Sequence, residues 1–127
     1  MESYAHHLTR VIDSGRFLDE TEFNALALEL FAFQFQHNRP LHHWCQSLNR
    51  VPGTVEHWSR IPAVPATAFK QDSFTVLPPE MRRFVFYSSG TTAAARSRHH
   101  HSAESMAVYE ASLRPWFARH QIGRAHV

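Results

Sequence analysis

Residues 83–92 read RFVFYSSGTT, an aromatic and β-branched run that opens into consecutive Ser, Gly and Thr side chains. The run Arg83 to Tyr87 predicts a buried or half-buried strand, because bulky and branched side chains suit a pleated surface. It leads into Ser88, Ser89, Gly90, Thr91 and Thr92, and Arg96, Ser97 and Arg98 follow after a short gap. A strand that ends in such a stretch has the parts of a phosphate-binding loop. Gly90 reaches positive φ cheaply, so successive N–H groups can converge on an anion. Ser88, Ser89, Thr91 and Thr92 add hydroxyl donors, or a ligand for a phosphate-bound magnesium, and the arginines add charge. The spacing and lysine of a Walker A loop are absent. Ser/Gly/Thr clusters between elements are ordinarily solvated turns, so composition alone leaves both readings open.

Helices are expected on the N-terminal side. Tyr4, Leu8, Val11 and Ile12 fall at helical spacing between Glu2 and Ser14, with Gly15 as the stop. From Thr21 the run TEFNALALELFAFQFQHN lacks Gly and Pro, and Asp19 stands ready to cap it. That helix carries two apolar stripes, one of Phe23, Leu26, Ala27, Leu30 and Phe33, the other of Leu28, Phe31 and Phe35, so it needs cover on several sides. Pro40 opens a short helix through Leu48 that points Trp44 and Cys45 inward, ended by Pro52-Gly53. Thr54 is expected to cap one more turn through Trp58. Ile61 to Pro65 is an extended connector, since each proline lacks a donor and restricts its predecessor. Pro78-Pro79 turns a corner after the β-prone Phe74 to Leu77. A last helix begins at Ser102, and Pro115 should kink or end it.

The string Tyr87-Ser88-Ser89-Gly90-Thr91-Thr92 resembles the signature loop of the adenylate-forming superfamily of acyl ligases. Ser97-Arg98-His99, the upstream Ile61-Pro62 to Phe69-Lys70 pattern and the helix Phe23 to Leu30 look more specifically like its acyl-protein synthetase branch. The resemblance covers roughly residues 15 to 120, and its specific motif is the Ser88 to Thr92 loop. It implies the α/β fold of the N-terminal part of an adenylate-forming enzyme: a helical segment, a strand with its phosphate loop, then a helix. It also implies ATP-dependent activation of a carboxylate, most simply a fatty acid, as an acyl-adenylate that passes to a thiol. ATP and Mg2+ are the implied cofactors, and an acyl-accepting or reductase protein is the implied partner. Ser88, Ser89, Thr91 and Thr92 would then hold the β- and γ-phosphates, Gly90 would give close approach and Ser97 would close the loop. The family's Gly after the paired Thr is Ala93 here. If that position needs positive φ, alanine costs on the order of 1 kcal/mol.

Residues 121–127 fit no part of that family, and their reading matches one frame of a common sequencing adapter. The expectation is therefore a ligase portion over residues 1–120, incomplete, with residues 121–127 as an adapter-derived tail, and no turnover by this chain alone. The 127 residues allow one domain at most, and a net charge of +2 gives no warrant for nucleic-acid or membrane-surface binding. No apolar run approaches the roughly 18 residues of a bilayer span, and neither a signal peptide nor a second cysteine is present, so a cytoplasmic protein is expected. Cys45 reads as an inert buried thiol, and Trp44, Trp58 and Trp116 as core anchors. His99 and His101 share a side of an extended stretch but lack further ligands at defined spacing, so no metal site is assigned. His6-His7 and His42-His43 read as solvated helix positions, and Arg82-Arg83 as an edge or solvated pair. The rival to a ligase is a non-catalytic helical interaction or docking module in which the Ser/Thr stretch is only a linker. Nucleotide binding discriminates the two.

Overall fold

Asp19 starts the central helix as its composition requires: the carboxylate accepts from the Glu22 N–H at 2.8 Å, and Glu20 and Glu22 fill the first turn. The computed structural model describes residues 2–70, 74–89 and 96–125. They form a mixed α/β chain of four α-helices and a two-stranded antiparallel sheet, arranged in two compact units. Among the described residues no helix is long and apolar enough to cross a membrane.

One unit spans residues 18–101. In it α2 (Glu20–His37) and α3 (Arg39–Ser47) meet at Asn38, which ends the first helix and starts the second. Its N–H donates to Gln34 O at 2.8 Å, while its side-chain oxygen accepts from the Leu41 N–H at 3.1 Å. Both orphan ends are thus satisfied by one buried residue. α3 stops in a Schellman turn: Arg50 N–H donates to Cys45 O, Asn49 N–H donates to Gln46 O, and Asn49 takes φ 55°. Phe31, Leu41, Cys45 and Val55 make the buried core, with Leu28, Phe35, Ile61, Val64 and Phe74 packed around it. Of the two stripes on α2, it is Leu28, Phe31 and Phe35 that enter this core. Full burial of a side chain such as Phe31 contributes on the order of 2 kcal/mol.

Past α3 the described chain up to the sheet is irregular, with short 3-10 segments at Trp58–Arg60, Ala66–Lys70 and Pro79–Met81. The expected cap at Thr54 is displaced, because the Thr54 hydroxyl donates back to Val51 O and the helical turn starts after His57 instead. Strands β1 (Phe84–Tyr87) and β2 (Arg98–His101) then pair, with Phe84 opposite His101 and Tyr87 opposite Arg98. β1 was expected to be buried or half-buried, but its four side chains are between 39% and 53% exposed. A two-stranded ribbon offers each strand a single partner and no covering layer.

The other unit joins residues 1–17 and 102–127. α1 (Glu2–Asp13) packs on α4 (Ala103–Ala125), burying Tyr4, Ala5 and Ala111, and Arg114 lies 4.0 Å from Asp13. Gly15 at φ 69° receives the chain as it leaves α1, as the sequence suggests. Ser102 and Ser105 cap α4 reciprocally, Ser105 N–H to Ser102 Oγ at 3.1 Å and Ser102 N–H to Ser105 Oγ at 2.9 Å. α4 does not end at Pro115 but carries it inside the helix, and its backbone stays helical to Ala125.

The tryptophans depart from the expected core role. Trp44 donates its indole N–H to Ala63 O at 3.1 Å, clamping the extended connector from the rim. Trp58 donates to Glu20 Oε1 and meets Phe23 edge to face at 5.5 Å, and Trp116 stacks edge to face with Phe117. All three rings stay more than a third exposed. The bonded indole nitrogens of Trp44 and Trp58 keep those amphipathic rings at boundaries. His42 is not solvated either: it lies against Phe35, ring centroids 4.1 Å apart, with Nδ1 3.2 Å from the Phe35 carbonyl.

Candidate functional site

The β1–β2 ribbon carries the Ser/Thr stretch between its strands. Beyond Tyr87 the ladder continues into the loop: Ser88 N–H donates to Ser97 O at 3.1 Å, and the Ser97 N–H donates to Ser88 Oγ at 2.8 Å. Ser88 and Ser97, nine positions apart, therefore meet at the neck of the loop. Ser89 is exposed just beyond them. Gly90, Thr91, Thr92 and Ala93 lie outside the described residues, so the structure brings together Ser88, Ser89 and Ser97 of the expected set.

A basic side chain completes the neck. The Arg96 guanidinium sits over the Tyr87 ring, 5.2 Å from its centroid, and its Nε is buried without a hydrogen-bond partner. An unpaired buried guanidinium N–H is costly, so the site favours an acceptor there. Arg98 instead turns back, donating Nη2 to Lys70 O at 3.2 Å.

Beneath the neck the histidines have structural work. Ser97 Oγ lies 2.9 Å from His99 Nε2, and the His99 ring packs on Phe69 at 4.8 Å between centroids. His101 is on the same face, against Phe86. Burial first, and the nearby His99 second, hold His101 below the ordinary histidine range. Among the described residues no three His, Cys, Asp or Glu side chains converge as metal ligands.

Outside this site, Cys45 is fully buried, and burial raises its thiol above the usual value, as befits an inert core cysteine. Sequence reasoning did not identify β2 as a strand. The alternation signal is weak in Arg98 to His101, where every residue is polar, and only pairing with β1 organises it. Compared with family models, with curated proteins and with solved structures, the chain matches none.

Proposed function

We propose that this chain is the N-terminal part of an ATP-dependent acyl-adenylate-forming ligase of the acyl-protein synthetase type, a cytoplasmic enzyme that activates a fatty or other carboxylic acid and passes it to a thiol. The observation that supports this reading is the neck of the ribbon, where Ser88 and Ser97 bond to each other beside an Arg96 whose buried Nε is unsatisfied. Hydroxyls and a guanidinium without an accompanying carboxylate form a donor set suited to polyphosphate oxygens. In this reading Ser88, Ser89, Thr91 and Thr92 bind the β- and γ-phosphates, Gly90 lets the backbone approach, and Ser97 fixes the closing end of the loop. Arg96 offsets negative charge. Magnesium would be held by phosphate oxygens and a loop hydroxyl, where it would neutralise the charge of the leaving pyrophosphate. The chain's own contribution is positioning and electrostatic preorganisation, which is what an in-line displacement at phosphorus requires.

The test is a titration of the full chain with ATP and magnesium. Saturable binding that weakens about tenfold in Ser89→Ala or Thr92→Ala is expected, since each substitution removes a hydrogen bond to a charged group. Absence of nucleotide binding would count against the ligase and for the interaction module, which the exposed Phe84, Phe86 and Tyr87 would then serve. The chain by itself should show no pyrophosphate exchange.

A further inference from the structure

Where α2 passes into α3, a cavity of about 730 Å3 opens against the segment before Pro78. Its volume falls within the roughly 300–1,000 Å3 of small-molecule sites. Four of its lining side chains are basic: His37 and Arg39 from the helix junction, His43 one turn on in α3, and Arg82 from across the opening. None of the described lining residues is acidic. The rest of the wall includes Val76 and Leu77, so a charged rim adjoins an apolar surface.

Two features make this more than a solvated basic patch. Arg82 is half-buried and its Nε donates to Leu77 O at 3.0 Å, which fixes the guanidinium plane and leaves its terminal nitrogens for another acceptor. A side chain already held loses little rotamer freedom when a ligand arrives. Gathering Arg39 and Arg82 around one concavity also raises the local positive potential, and low-dielectric walls focus it. We propose that this cavity binds an amphiphilic anion, a carboxylate or phosphate headgroup carried on a short apolar chain. The guanidiniums of Arg39 and Arg82 take the headgroup, and Val76 and Leu77 receive the chain. Ser88, Ser89 and Ser97 do not line the cavity, so the proposal stands or falls separately from the nucleotide reading.

The experiment uses the isotope-labelled full chain without ATP, following the backbone amides of Val76 and Leu77 by NMR. Octanoate and octyl phosphate are the two headgroup arms, with octanol and inorganic phosphate as probes carrying only the tail or only the charge. The expected result is saturable shifts with octanoate, octyl phosphate or both, and the better arm identifies the headgroup. Octanol and inorganic phosphate should each bind at least about tenfold more weakly, the first for want of a charge-assisted hydrogen bond and the second for want of the methylenes that Val76 and Leu77 would bury. Arg39→Gln, at an exposed side chain, should weaken the better arm by a similar factor while leaving the rest of the spectrum in place. Octanol binding as well as octanoate, inorganic phosphate binding as well as octyl phosphate, no saturable shift, or an unchanged affinity in Arg39→Gln would each overturn the proposal. Arg82→Gln is the second variant. Because it also frees Leu77 O, the conclusion is drawn from Arg39→Gln if Arg82→Gln fails to fold.

Discussion

Oε1 of Glu20 accepts from the Trp58 indole at 3.0 Å and from His57 Nε2 at 2.9 Å, tying the start of α2 to a segment nearly forty positions away. Asn24, one turn along, reinforces the tie: its Oδ1 accepts from the Trp58 N–H at 2.7 Å and its Nδ2 donates to Glu56 O at 3.2 Å. The Trp58 bond first, and His57 second, lower the Glu20 carboxyl below its ordinary 4.5. A carboxylate whose folded value is depressed stabilises the fold above its unfolded value and loses that contribution as pH falls through the folded one. Glu20→Ala should therefore lower the unfolding midpoint at pH 7, and the gap between variant and parent should shrink steadily below about pH 4.5. Thermal melts of both proteins across that range measure it, and a gap independent of pH would assign the loss to packing instead of charge. Because Glu20 lies at the surface, its effect is expected to diminish in high salt.

At the scale of elements, asparagines organise the α2–α3 hairpin. Asn38→Ala removes a cap acceptor at a buried junction and should destabilise by about 1–2 kcal/mol. Asn49→Gly should act the other way, because glycine meets the left-handed geometry without a Cβ penalty, for a gain of a few tenths to about 1 kcal/mol. Urea titrations of the two variants give both signs, and a loss in Asn49→Gly would show that the asparagine side chain itself holds the turn. These positions also show what the sequence made legible. Asp19, the Pro40 helix, the Gly15 stop, the Ser102 cap and the strand before Ser88 could all be read because each depends on local chemistry within a few residues. The end of α3 was legible at Leu48, where the structure places its cap, but the turn is made by Asn49 in the left-handed region and not by Pro52-Gly53. What could not be read depends on distant partners. The stripe of α2 that enters the core is chosen by Leu41, Cys45 and Val55, and β2 exists only opposite β1. The meeting of Ser88 and Ser97 follows from that same register, so the candidate site was visible as residue types but not as a closed neck.

Across the whole molecule the two units differ in how they are assembled. The unit of residues 18–101 is continuous in sequence, whereas the other recruits residues 1–17 and 102–127 from either side of it. Joining segments so far apart carries a loop-closure cost that a continuous unit avoids, and among the described residues the buried apolar side chains of the discontinuous unit are Tyr4, Ala5 and Ala111. Its unfolding is expected at lower denaturant than that of the continuous unit. Trp116→Phe leaves Trp44 and Trp58 as fluorescence reporters of residues 18–101, while far-ultraviolet circular dichroism also records α1 and α4. The dichroism should begin to fall before the fluorescence changes, and coincident curves would show one cooperative transition. The bonded serines at the neck of the ribbon have a consequence for how such a chain can diversify. With Ser88 and Ser97 fastened to each other, the span between the ends of the loop is set by the strands and not by what the loop contains. Substitutions among residues 89–96 are then insulated from the register beneath them. The ribbon serves as a fixed socket, and under the proposed phosphate-binding role the ligand preference of the loop would be free to drift without remaking the fold.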